Sequence, residues 1–270
     1  MKVLNKSIVF FSFISLYCTI CVAQSSLNKL NLINTIEIQT ELIATDKLGN
    51  LYALNKQEVF KYDSNGKLLQ KNSLKNLGNL FTIDVSNPMK ILAFYKDYNK
   101  VLFLDNMLAP SGSTIDLSAI GFDQATLACT SHDNGIWLFN SLNFELVRMD
   151  PSLKISNQSG NIAQLTGNPI KPTVLFENNN QVYLCDTLTG VLIFDVFGTY
   201  IKTIPIKSIS DLQVENNILY FIDGKGFGSF NPELLQQNEI ELPQQGISQI
   251  RLQKNRVFMK LADKILIYSY

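Results

Sequence analysis

The feature that most constrains this chain is a repeat. An apolar run bearing a large side chain, Asn50-Leu51-Tyr52-Ala53-Leu54, returns as Lys90-Ile91-Leu92-Ala93-Phe94 and Gly135-Ile136-Trp137-Leu138-Phe139. It returns again as Gln181-Val182-Tyr183-Leu184-Cys185, Ile218-Leu219-Tyr220-Phe221-Ile222 and Arg256-Val257-Phe258-Met259-Lys260. Aligned on Tyr52, Leu92, Trp137, Tyr183, Tyr220 and Phe258, the copies stand 40, 45, 46, 37 and 38 residues apart. A second run follows each of them and ends in Asp or an equivalent. The series is Val59–Asp63, Val101–Asp105, Leu146–Asp150, Val191–Asp195, Phe227–Asn231 and Ile265–Ser269. A chain built this way is six copies of one supersecondary unit, not one irregular domain.

The unit is made of strands. No capped stretch of ten or more residues carries apolar positions at helical spacing. Short apolar runs are separated by Asn, Asp, Gly and Ser clusters, which is an all-β pattern. Runs such as Val191-Leu192-Ile193-Phe194 are apolar on both faces. A strand of a simple sandwich would alternate, whereas a strand in a propeller blade is covered by a neighbouring blade on each side. A period of roughly 40 residues is the length of a four-stranded blade. The sequence therefore predicts a six-bladed β-propeller of four-stranded antiparallel blades. The sixth unit stops at Tyr270, after its third strand. The segment Leu30–Ile38 offers a spare strand ahead of the first unit, so the last blade is expected to be closed by the N-terminal strand.

Particular turns carry a resemblance. Asp46-Lys47-Leu48-Gly49-Asn50-Leu51-Tyr52, Tyr62-Asp63-Ser64-Asn65-Gly66-Lys67 and Phe194-Asp195-Val196-Phe197-Gly198-Thr199 resemble the blades of secreted six-bladed propellers of the NHL and TolB-like type. The resemblance spans residues 24–270 and implies the fold. That class contains interaction scaffolds, lyases and lactonases, so it does not imply one activity.

Residues 1–23 read as a secretory signal. Lys2 and Lys6 form a basic start, Ile8–Val22 an apolar core, and Cys21-Val22-Ala23 a small-residue cleavage site. Residues 24–270 are then a single propeller domain with no transmembrane span, and the protein is expected to be exported: periplasmic, outer-membrane-associated or secreted. Removal of the signal takes two of the 23 basic residues, leaving 21 against 23 acids, a charge of −2. Such a balance excludes a basic field for nucleic acid. Two of the four cysteines leave as well, and Cys129 and Cys185 remain, either as a disulfide or as two buried thiols. Closed edges predict a monomer.

Two sets of polar residues recur. Asp63, Asp105, Asp150, Asp195 and Asn231 precede Gly by three residues or Pro by one in several copies, which is type I turn chemistry. Asn55, Asp97, Asn140, Asp186, Asp223 and Asp263 follow the first repeated run, in connections that share a face with the blade-to-blade crossovers. These six are the ligand-face candidates. Their oxygens suit Ca²⁺ if they converge and local turn hydrogen bonds if they do not. The single His, His132, sits in Ser131-His132-Asp133-Asn134-Gly135, a hairpin-turn pattern that predicts an exposed ring. One His excludes most zinc and His-relay chemistry. No catalytic residue, metal site or cofactor is assigned. The leading expectation is a non-enzymatic module that binds a protein, peptide or glycan outside the cytoplasm. The alternative is a calcium-dependent hydrolase or lactonase-like propeller enzyme.

Overall fold

A computed structural model describes residues 30–270. Met1–Ala23, the segment read as a signal, lies outside the described residues. The rest forms six four-stranded antiparallel sheets. Blade one spans Leu42–Ser73, blade two Thr82–Asp116, blade three Ala125–Gln158, blade four Pro172–Ile204 and blade five Asp211–Ile240. Blade six takes three strands from Gln249–Ser269 and its fourth from Asn31–Glu37. The closing strand runs antiparallel to Lys264–Ser269, with Asn31 opposite Ser269, Thr35 opposite Leu266 and Glu37 opposite Lys264. The strand is one residue shorter at each end than the predicted segment. A bulge between Leu32 and Asn34 resets its register. Among the described residues, beyond short 3-10 turns, helix is confined to Ile162–Thr166, capped by the Asn161 side chain, in the crossover from blade three to blade four. Among the described residues no helix is long and apolar enough to cross a membrane.

The core is divided into six wedges, one at each blade junction. The repeated bulky position explains them. Tyr52 fills the wedge between blades one and two, Leu92 that between two and three, and Trp137 that between three and four. Tyr183 lies between four and five, Tyr220 packs between five and six, and Phe258 lies between six and one. Each blade thus plugs the gap to its successor with the same position of the repeat. A fully buried side chain of this size contributes about 1.5–3 kcal/mol. The strands that carry them are buried throughout in blades two and three, at Ile91–Tyr95 and Ile136–Asn140, and so is the next strand of blade three, Glu145–Met149, as double-sided coverage requires.

The third-to-fourth-strand turns also repeat in atomic detail. Oδ1 of Asp63, Asp105, Asp150 and Asp195 accepts from the backbone N–H groups two and four residues on. Asn231 accepts from Glu233 and Leu234. Gly66 and Gly198 hold left-handed φ of 86° and 84°, and Leu108 and Leu153 take the same conformation in their copies at 63° and 62°. A non-glycine residue accepts that backbone only where its surroundings compel it. These acids serve the turns, as their spacing predicts.

Candidate functional site

The first strand of each blade lines a central channel of about 1280 Å³. These strands are Leu42–Thr45, Thr82–Asp84, Ala125–Thr130, Pro172–Asn178, Asp211–Glu215 and Gln249–Gln253. Each has a strand partner on its outer side only, so its inner N–H groups need partners from elsewhere. Side chains of adjacent first strands supply several. Gln249 Oε1 accepts from Ile43 N–H at 2.8 Å, Asp84 Oδ2 from Thr130 N–H at 2.7 Å, and Glu177 Oε1 from His132 N–H at 3.0 Å. Asp211 Oδ2 accepts from Ile250 N–H at 3.0 Å and pairs with Arg251 Nη1 at 2.6 Å. Gln213 Oε1 accepts from Leu252 N–H at 2.8 Å. The acids and amides of the wall therefore also hold the ring together.

At one point this arrangement is more elaborate. Glu177, from the first strand of blade four, is 7% exposed, and it reaches the loop Ser131–Gly135 of blade three at the channel mouth. Its Oε1 also meets His132 Nδ1 at 3.0 Å, and its Oε2 accepts from Trp137 Nε1 at 2.7 Å and Ser131 Oγ at 3.2 Å. The only His and the only Trp of the chain share one carboxylate. Donation from Nδ1–H to Glu177 leaves Nε2 as an acceptor, and Arg148 Nη2 stands 3.5 Å from it. Arg148 is buried and saturated. Nε donates to Ser131 Oγ, Nη1 to Asn157 Oδ1 and to the Val196 carbonyl of blade four, and Nη2 pairs with Asp133 at 2.5 Å. Burial would raise the Asp133 carboxyl. The Gly135 N–H and the Arg148 guanidinium outweigh that effect and hold it below the usual carboxylate range.

The local sequence explains the loop. Asn134 takes a left-handed φ of 66°, Asp133 Oδ1 accepts from Gly135 N–H at 3.0 Å, and a Cβ on Gly135 would overlap the Met149 carbonyl. The His132 ring is 41% exposed, as its place on a turn predicts. Its partners across the blade junction were not legible, because Glu177 lies 45 residues away in sequence. The one signal that could have found them is departure from the repeat. His132 has no like residue at the aligned position of another blade and Trp137 is the one indole of its series, whereas Arg148 is matched by Lys61, also buried and donating to a carbonyl of the next blade, that of Asn106.

Around the same mouth, amides join neighbouring loops. Asn179 Nδ2 donates to Asn217 Oδ1 at 3.0 Å, and Asn87 Nδ2 to Asn134 Oδ1 at 3.4 Å. Glu215 lies on this rim with its carboxyl raised by burial.

The six ligand-face candidates stand at the opposite mouth, and only Asp97 among them lines the channel. Asn55 ends a second strand, half-buried, and Asp263 is exposed on a turn. Asn140 is buried and accepts from Leu142 N–H at 3.2 Å. Asp186 is buried and accepts from Lys171, Leu188 and Thr189 N–H groups at 2.8, 3.1 and 2.7 Å. Asp223 accepts from Lys225 and Gly226 N–H groups at 2.8 and 3.1 Å. Among the described residues no three His, Cys, Asp or Glu side chains gather as a metal site. Cys129 and Cys185 are separate, buried free thiols, and burial pushes Cys185 up to about 12, which leaves it protonated and unreactive.

No family model matches this chain, and no curated protein sequence matches it. Solved structures do. The WD40 domain of Neurospora crassa Pan2 superposes with a TM-score of 0.64 at 9% identity, over 89% of this chain and 95% of that one. Virginiamycin B lyase from Staphylococcus aureus gives 0.63 at 11% identity, over 90% of this chain and all of the other. BamB from Moraxella catarrhalis gives 0.56 at 10% identity, over 90% and 100%. At such identities the likeness is one of fold, and it agrees with the resemblance to six-bladed propellers drawn from the turns.

Proposed function

We propose that this chain is an exported binding module that holds a protein, peptide or glycan at the channel mouth formed by the loops around His132, Asn179 and Asn216. The observation that carries this reading is the commitment of the wall acids. Asp84, Glu177 and Asp211 each accept a backbone N–H of a neighbouring blade, so the groups best suited to acid–base work hold the ring. What faces the opening is amide-rich and built on rigid strands, which suits recognition. Propellers that bind and a propeller that is a lyase share this fold, so the site decides between them. Arrays of peptides and glycans probed with the purified protein are expected to yield a retained ligand. Its affinity should fall on Asn180→Gly and Asn216→Gly, which remove the amide and keep the left-handed backbone at φ 59° and 50°, with melting little changed. The absence of any such ligand would count against the reading.

A hydrolase is the second reading, favoured by the Glu177–His132 pair, whose imidazole lines the channel. Screening of ester and lactone substrates, with and without Ca²⁺, separates the two. Turnover that His132→Ala abolishes would replace binding by catalysis.

A further inference from the structure

The face opposite the His132 loop carries twelve connections, six blade-to-blade crossovers and six second-to-third-strand loops. Going round the ring, six consecutive connections each present a large exposed apolar side chain. They are Phe81, Tyr98, Ile120, Leu142, Leu165 and Leu188, between 37 and 76% exposed. The other six connections present none of this kind and are polar at their tips, as at Asp223-Gly224-Lys225 and Pro243-Gln244-Gln245. The repeat does not require this division, since the same twelve connections recur in every blade.

We propose that this apolar arc is the interface of a homodimer, in which two copies meet face to face about a two-fold axis. An arc on a flat annular face is matched to itself, in reverse order, by a two-fold axis lying in that face and passing through the arc's midpoint. Such an axis sets Phe81 opposite Leu188 of the second copy, Tyr98 opposite Leu165, and Ile120 opposite Leu142, each contact made twice. Charge follows the same pairing. Asp97 adjoins Tyr98 and exposed Lys171 ends the crossover that carries Leu165, so Asp97 of each copy faces Lys171 of the other. Asp116 and Asp123 lie either side of Ile120 and face the uncharged Ser141–Phe144 loop of the other copy, and Lys96 is folded over the Phe81 ring at 4.7 Å. The area is adequate. Side chains of roughly 150–250 Å² each, a little over half exposed, present about 600 Å² of apolar surface. A standard interface takes about 800 Å² from each partner, a little over half of it apolar. Closed blade edges argue against association through edges, and this contact uses none.

The test is the mass in solution of protein expressed from the full coding sequence, by sedimentation at tens of micromolar. A dimer is expected. Leu142→Glu and Leu188→Glu should each convert it to monomer without lowering the melting temperature, whereas Leu234→Glu on the other face should not. Asp97→Lys should weaken the dimer about tenfold, and adding Lys171→Asp in the same chain should restore it. A monomer at these concentrations overturns the proposal, and one that also floats with phosphatidylglycerol vesicles assigns the arc to a bilayer instead. A dimer indifferent to Leu142→Glu overturns it as well.

Discussion

Two junctions of this ring are held in opposite ways. Blade six is completed by main chain, through a ladder between Asn31–Glu37 and Lys264–Ser269. Blades three and four are joined by side chains, with Glu177 gathering His132, Trp137 and Ser131 beside a saturated Arg148. A ladder is specified by strand pattern and tolerates many side chains. A polar cluster is specified by particular atoms, and one missing partner leaves buried donors unpaired. The closure should therefore fail by deletion and resist substitution, and the cluster should do the reverse.

The largest effect is expected from deleting Leu266–Tyr270. It removes Leu266, Ile267 and Tyr268 from two wedges, at roughly 1.5–3 kcal/mol each, against a total stability of about 5–15 kcal/mol. Loss of a cooperative thermal melt is the expected outcome. Deleting Leu30–Ile38 should lower the melting temperature less, because Leu32 and Ile33 are exposed and its packed residues, Leu30, Ile36 and Ile38, are only partly buried. Two truncations that both melt with the full chain would show that the ends do not meet.

Next comes Glu177→Ala, expected to cost about 3 kcal/mol by stranding the Trp137 indole N–H and leaving the His132 N–H and the Ser131 hydroxyl without their acceptor. Urea titration measures it, and the fluorescence of the single Trp reports the same site. His132→Ala should cost less than about 1 kcal/mol, since a half-exposed ring on a turn leaves Trp137 satisfied. Equal losses would mean that the carboxylate is not the centre of the cluster.

A smaller, pH-dependent effect belongs to Asp186. Burial works against its charge, but three backbone N–H donors prevail and hold the carboxyl below its ordinary value. A depressed acid contributes stability that is present above the unfolded pKa and is lost as pH falls through the folded one. Asp186→Asn should therefore lower stability at pH 7 and flatten the acid limb below about pH 4. Parallel acid limbs for the two proteins would remove Asp186 from this role.

The same contrast explains what could be read in advance. Blade count, closure and the turn role of Asp63 or Asp195 follow from local pattern and from counting copies, because each copy confirms the others. The six bulky repeat positions could be placed in wedges for that reason. Glu177 could not be placed, since it is one acid among many until blade four sets it against blade three. Asp186 stood among the candidates for a shared ligand face, with local turn hydrogen bonds as the other reading; its bonds from the Leu188 and Thr189 N–H groups are that turn, and only the bond from the Lys171 N–H, 15 residues back, is one that spacing does not encode. The apolar arc was equally hidden, because exposure of Leu142 or Leu188 is a property of loop direction.

The closing strand also governs when the molecule can exist. Asn31 pairs with Ser269, a separation of 269 − 31 = 238 residues, so the first described strand waits for the last. Five blades can form from contiguous sequence as the polypeptide emerges, but the ring stays open at one edge until Lys264–Ser269 is available. Pairing at such separation is slow to nucleate and leaves an unpaired strand exposed meanwhile. A chain threaded out from its N-terminal side would keep this edge bare until the strand Lys264–Ser269 follows it.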